Sequence, residues 1–399
     1  MKLNRGWNLT YCCNAQRGET WPETFAKLEQ HALAVRQRVC PDQPFGLTLR
    51  LSGAAARALS QQATLTTFHR WLDQHHCYVV GIQGFPCGHL RDRLATAQVF
   101  VPDWTSPERL AYTNMLLDIL AQLLPPDAQG CVGTLPGAVK GVAYAPEELR
   151  LMRHHLWRCL EHAERLSERS GRTLRLAIEP GPYCLLETSG EVIEFFQELG
   201  LEHMNDSRLR EFLTVSYDAC HFAVEFEEPS NVVRCFQQHG IRLGKVQFSV
   251  APRVCPVPEV CQQLARFKET AYHHQVVALC NDGSRLLYRS LTHALAQANS
   301  NTMPEVVECR IHMHVPLHGP DGDWFVNTSD HVLELLDLLA ARPELCANLE
   351  IETQTWDTLP PDQQQRQFAD LMAAEYAWIL ERMADRGLVQ IAPSCLGPA

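Results

Sequence analysis

Residues 174–182 read LRLAIEPGP, and residues 213–221 read LTVSYDACH. Each stretch is a short run of aliphatic and β-branched side chains that ends on an acid, Glu179 or Asp218, and then breaks into a turn. Runs of this length, closed by turn residues, predict strands covered on both faces, as in parallel sheets. An ionised carboxylate at the mouth of such a packed core costs several kcal/mol unless it is paired or holds a metal. Its repetition on separate strands points to one shared partner.

Outward from these two stretches, short apolar runs and longer amphipathic segments alternate along the whole chain. The expected strands are 7–12, 46–52, 78–83, 131–135, 174–179, 213–218, 243–249, 309–315 and 349–354. Helix starts are clearest at Ser106 with Pro107, where Thr105 and Glu108 also allow a capping box, and at Thr188 with Glu191. The run from Pro146 to Arg169 reads as an outer helix whose exposed face carries Arg and Glu at pairing distance. This alternation leaves a closed barrel or a doubly wound open sheet. The strand count favours a (β/α)8 TIM barrel, with one strand in excess. No GxGxxG follows the first strand, and GTLPGAVKG lacks the order of a phosphate loop. The expectation is therefore one barrel domain over 1–399. Residues 250–308, with a turn at Asn281–Gly283, form an inserted hairpin and loop before the late His-containing strand, placed to act as a lid.

The net charge of −11, from 46 acids against 35 bases, argues against a protein that grips nucleic acid. A small, uncharged or metal-bridged metabolite fits better. The opening MKLNRGWNLTYCC has no apolar run of signal-peptide length, and no stretch approaches the ~20 apolar residues of a membrane span. These features predict a cytoplasmic protein. The 16 cysteines are scattered through apolar segments without a CxxC pair and read as buried free thiols.

Active sites of such barrels are built at the C-terminal ends of the strands. Glu179, Asp218 and Glu352 fall there, and His221 lies in the turn just beyond Asp218. In RIHMHVPL, the two-residue period puts His312 and His314 on one strand face, and Lys245 and Gln247 share a face in the same way. Carboxylate oxygens mixed with imidazole nitrogens suit Mn²⁺, Mg²⁺, Co²⁺ or Zn²⁺. Arg50, Lys140 and Lys245 are candidates to anchor substrate oxygens, Arg50 and Lys140 serving equally well in structural ion pairs. Glu350 reads as a structural or solvated acid. The pairs His75 and His76, His154 and His155, and His273 and His274 read as surface residues.

LAIEP, YDACH and LEIET together resemble the xylose-isomerase-like barrel family, which includes ketose epimerases and relatives of endonuclease IV. That resemblance implies a divalent metal held by Glu179, Asp218, His221 and Glu352, with the two glutamates on opposite sides of a bound sugar as catalytic acid and base. More narrowly, YCCNAQRGETW, VCPDQPFGLTLRLS, FVPDWTSPERLAY, LPGAVKG, CHFAVEFEEP, KVQFS, HMHVPL and LEIETQTWDTLP resemble the bacterial metabolite-traffic family EboE over nearly the whole chain. This implies processing of a secondary-metabolite precursor in association with other proteins of the same pathway. Two departures matter. Gln247 stands where the family places a ligating histidine on the seventh strand, so His314 is the candidate replacement and Gln247 and His312 are further metal or substrate contacts. Endonuclease IV relatives use extra histidines on early strands, and here only His89 is placed for that role. The expected activity is isomerase- or epimerase-like chemistry on a polyhydroxylated or carbonyl-bearing molecule. The alternative is a carrier or scaffold that binds a metabolite without turning it over.

Overall fold

A computed structural model of the protein describes residues 1–15, 18–85, 87, 100–126, 128–267, 274–298, 305–319, 325–352 and 368–391. In chain order its strands are β1 (Asn8–Cys12), β2 (Phe45–Arg50), β3 (Cys77–Gln83), β4 (Gly130–Thr134), β5 (Leu174–Ile178), β6 (Leu213–Asp218), β7 (Arg242–Phe248), β8 (Pro252–Val254), β9 (Val276–Cys280), β10 (Arg285–Tyr288), β11 (Val306–Ile311), β12 (Val326–Asn327) and β13 (Asn348–Ile351). β1 to β7 and β13 close into an eight-stranded barrel in the order β1-β13-β7-β6-β5-β4-β3-β2. Closure is sealed where β1 pairs in parallel with both β2 and β13. The expected (β/α)8 barrel is therefore present, with strand ends within a few residues of those read from the sequence.

The helices between the strands follow their caps. Ser106 accepts from the Glu108 amide ahead of Pro107–Leu123, and Thr188 with Glu191 forms a capping box at the start of Ser189–Glu202. Thr105 takes no part in a box; its hydroxyl and amide both donate to Asp103. Helix Pro146–Ser170 ends at Gly171, whose φ of 65° supplies the left-handed stop. Among the described residues no helix is long and apolar enough to cross a membrane.

The barrel lumen is polar. On β13 and just beyond it, Asn348, Glu350 and Glu352 alternate with buried Leu349 and Ile351, and on β7 Lys245 and Gln247 alternate with Val246 and Phe248. The polar members meet across the barrel: Lys245 on β7 donates to Gln83 on β3 at 3.0 Å, although those strands are not neighbours. Tyr78 on β3 likewise donates to Asn8 on β1 at 3.0 Å. Gly133 makes room for this network, since a Cβ there would fall 1.9 Å from Gln83 Oε1. The usual aliphatic filling is thus replaced by a hydrogen-bonded column that rises to the C-terminal mouth.

The excess strand has a different home. β8 to β12 build a second sheet, antiparallel in the order β10-β9-β11-β8-β12, between β7 and β13. The insertion is larger than a hairpin and takes in the segment CRIHMHV, whose first half is the end of β11. Arg310 donates to the Ala223 carbonyl at 2.7 Å and Arg285 to that of Glu225 at 2.7 Å. These bonds hold the second sheet against the short helix that follows β6.

Candidate metal centre

Asp218 closes β6 and also caps the short helix Ala219–Val224. Its Oδ1 accepts from the His221 amide at 3.1 Å and from the Ser249 hydroxyl at 2.6 Å. Its Oδ2 is buried and has no hydrogen-bond partner. That oxygen faces the Nε2 atoms of His221 and His314, each 3.8 Å away, too far for a hydrogen bond. His221 donates from Nδ1 to the Pro180 carbonyl at 2.7 Å, which leaves the lone pair of Nε2 directed at Asp218. A carboxylate oxygen and an imidazole lone pair thus face each other at 3.8 Å. Ring protonation or a cation relieves that repulsion, and ligand atoms of Asp218, His221 and His314 all lying within 4.8 Å of one another fit a cation.

His314 reaches this place because the chain leaves the second sheet at Ile311. The Met313 amide donates to the Ile311 carbonyl at 2.7 Å, a tight turn that breaks the strand alternation, and Val315 then bridges to Val250. The rings of His312 and His314 accordingly stand 86° apart, with centroids separated by 5.7 Å, instead of sharing one strand face. His312 remains close to His221, at a ring separation of 4.8 Å.

Glu179 follows β5, accepts from Gln83 Nε2 at 2.8 Å and stands 3.3 Å from the Ser216 hydroxyl oxygen. Glu352 follows β13 and accepts from Asn14 Nδ2 at 2.7 Å. Between them Gln247 accepts from Ser216 at 2.6 Å through Oε1, while its buried Nε2 has no partner. Below, Lys245 is 3% exposed, pairs with Glu350 at 2.6 Å and stands 3.8 Å from Glu179. Glu350 is thus the buried counter-ion of Lys245, and the solvated reading of that acid is incorrect.

The titration of these groups follows from burial and charge. Burial is the largest influence on Glu179 and, with repulsion from Glu352, pushes it up to about 7 against the opposing pull of Lys245. Burial would raise Asp218 too, but His221 and His314 with the Ser249 bond outweigh it and hold that carboxyl below its usual value. Burial disfavours charge on His221, yet Asp218 and Glu179 keep its pKa above the ordinary range. His312, desolvated and beside His221 and His314, is held well below its ordinary value. Desolvation would neutralise Lys245, but Glu350 and Glu179 keep it firmly protonated.

The structure therefore brings Glu179, Asp218, His221, Gln247, His312, His314 and Glu352 to the C-terminal mouth. Arg50 is buried at the end of β2, where it donates to the Gly18 carbonyl at 3.3 Å. Lys140 pairs with Glu187 at 2.6 Å and with Glu191. His89 and His273 lie outside the described residues. His155 is buried and bonded to the Trp104 carbonyl at 2.9 Å, and His274 is buried as well, so the surface reading fails for both. Among the described residues the cysteines are free thiols, all buried except Cys87, Cys235 and Cys255. Sequence reasoning missed Asn14, Gln83, Ser216, Ser249 and Cys220. Only Ser249 carried a visible signal, being two residues beyond Gln247 on the same strand face.

No family model matches the chain, and no curated protein matches it. Solved structures do. A xylose isomerase domain protein from Planctomyces limnophilus aligns with a TM-score of 0.52 and 13% identity over 96% of this chain and 99% of its own. A xylose isomerase-like TIM barrel protein from Mycobacterium smegmatis, solved in complex with magnesium, aligns with a TM-score of 0.51 and 11% identity over 97% of this chain and 99% of its own. A D-tagatose 3-epimerase-like protein aligns with a TM-score of 0.49 and 12% identity over 94% of this chain and 99% of its own. At such identities the likeness is one of fold: this chain has the xylose isomerase-like TIM-barrel architecture.

Proposed function

We propose that the protein is a divalent-metal-dependent enzyme that moves a proton on a small polyhydroxylated or carbonyl-bearing metabolite, as an isomerase or epimerase. The observation that carries this reading is Asp218 Oδ2, buried without a partner and facing two imidazole Nε2 atoms at 3.8 Å. Glu179, Asp218, His221, His314 and Glu352 would hold the ion, with Gln247 as an amide contact. Such an ion, Mn²⁺, Mg²⁺, Co²⁺ or Zn²⁺, supplies Lewis-acid polarisation of substrate oxygens when bound.

The chain's own groups would do the proton work. Glu179, oriented by Gln83 and with Lys245 beside it, would take a proton from the carbon beside a carbonyl. Glu352, held in orientation by Asn14, would return one from the other side. Lys245 and Gln83 keep Glu179 in place from below, and Lys245 balances the negative charge of the lumen. The inserted sheet would exclude water and shape the substrate pocket. Lys140 and Arg50, both engaged by protein groups, would act at its margin. In keeping with the resemblance to the EboE family, the substrate would be a secondary-metabolite precursor, handled in the cytoplasm beside other proteins of its pathway.

The test is metal content and proton exchange together. Purified protein should retain a divalent ion through dialysis and catalyse solvent deuterium uptake into ketose or related carbonyl substrates. Asp218→Asn should lose the ion, while Glu179→Gln and Glu352→Gln should hold it more weakly and lose exchange by at least ~100-fold even with the ion restored to saturation. A metal-free protein whose glutamine variants leave pathway output untouched would refute the enzyme. Normal metabolite binding with neither exchange nor turnover would instead establish the carrier.

A further inference from the structure

His314 has a second buried face. Its Nε2 looks toward Asp218, whereas its Nδ1, on a side chain only 6% exposed, has no hydrogen-bond partner. Both ring nitrogens of His312 are in the same condition. The group that shares this space is Cys220, fully enclosed in the helix that follows β6 and two residues beyond Asp218. Ligand atoms of Cys220, His312 and His314 lie within 4.8 Å of one another.

Three unsatisfied imidazole nitrogens beside a buried sulfur are hard to explain as packing. An apolar core would hold aliphatic side chains there, and a structural histidine would find a carbonyl, as His155 and His221 do. We propose that Cys220, His312 and His314 form a second cation site, for a thiophilic divalent ion such as Zn²⁺, that shares the His314 ring with the Asp218 and His221 set. A thiolate with two imidazoles is the softer of the two donor sets and suits zinc, whereas the carboxylate-rich set above Glu179 also accepts harder ions. Three protein donors leave a coordination position for solvent or a small ligand. On binding, the Cys220 thiol gives its proton to solvent, and the Met313 amide bonded to that sulfur supports the resulting thiolate. With both sites filled, His314 bridges as an imidazolate, its ring proton also passing to solvent.

Cobalt substitution reads the sulfur directly. Full-length protein stripped of metal and loaded with Co²⁺ should show a thiolate-to-cobalt charge-transfer band in the near ultraviolet, and zinc loading should give a second retained equivalent. Cys220→Ser should abolish the band and that equivalent. His312→Ala, at a less enclosed side chain, should remove the same equivalent, with thermal melts confirming that both variants fold. Asp218→Asn should lose the other equivalent and keep the band, so this site is separable from the one proposed for the reaction. A wild-type cobalt protein without the band, a band that survives in Cys220→Ser, or one that disappears with Asp218→Asn overturns the proposal.

Discussion

At Gly181 a Cβ would fall 2.8 Å from His221 Nδ1 and 2.9 Å from its Cε1. The ring cannot simply swing away, because Nδ1 is bonded to the carbonyl of the preceding Pro180. Gly181→Ala should therefore tilt the imidazole and turn its Nε2 off Asp218 without unfolding the barrel. The expected loss in metal affinity is about 10- to 100-fold, as for other changes that disturb the support of a ligand. Competition against a chromophoric chelator measures it, and unchanged affinity would mean that His221 is not a ligand. Legibility at this scale follows chain distance. Glu179, Asp218 and His221 were readable because each sits where a strand ends, a feature carried by a few consecutive residues. Gln83, Ser216 and Asn14 were not, because what they do depends on neighbours that exist only after the barrel closes: Gln83 reaches Glu179 across 96 positions, and Asn14 reaches Glu352 across 338.

Among the elements, the segment after β11 shows why period alone misplaces side chains. The alternation in RIHMHV is strand-like, but the turn at Met313 ends the strand and the rings diverge. What fixes this segment lies outside it. Glu375, buried on helix Phe368–Ala384, accepts from the Leu317 amide at 2.9 Å and stands 3.8 Å from His318 Nδ1. Burial pushes its carboxyl up to about 8, the Leu317 bond only partly opposing. The consequence for stability has a definite sign. Below the ordinary glutamate value of 4.5 both folded and unfolded chains keep the proton; between 4.5 and about 8 only the unfolded chain releases it. Stability is therefore lost through that window, at a limiting slope of about 1.4 kcal/mol per pH unit from this group, and the loss levels off above it. Glu375→Gln should remove this contribution, so the variant gains on the wild type as pH rises through the window. Denaturant unfolding across that range checks the difference, and parallel curves would show that Glu375 ionises freely in the fold.

The whole molecule is a closed barrel and a second sheet, held together by the Arg310 and Arg285 bonds and by the groups around Asp218. The closed barrel supplies Glu179, Asp218 and Glu352 from strand ends, the short helix after β6 supplies His221, and the exit from the second sheet supplies His314. The proposed ion would tie the inserted sheet to the barrel, because Asp218 Oδ2 stands 3.8 Å from Nε2 of both His221 and His314. Binding that requires the folded chain stabilises it by about 2.7 kcal/mol when the ion is present at 100 times its dissociation constant. That gain need not be spread evenly, because local opening draws on the weakest contacts first. The barrel strands have continuous parallel pairing on both sides, whereas residues 312–315 are held by a single bridge, a few main-chain bonds and the proposed ion. Chelation should therefore speed amide exchange in 305–319 and in β9 while leaving β4, β5 and β6 protected as before, and His314→Ala should reproduce that pattern with metal present. Hydrogen exchange with and without chelator decides the point. Uniform loosening of both sheets would place the ion in the general stability of the barrel, and no change at 312–315 would remove His314 from its coordination.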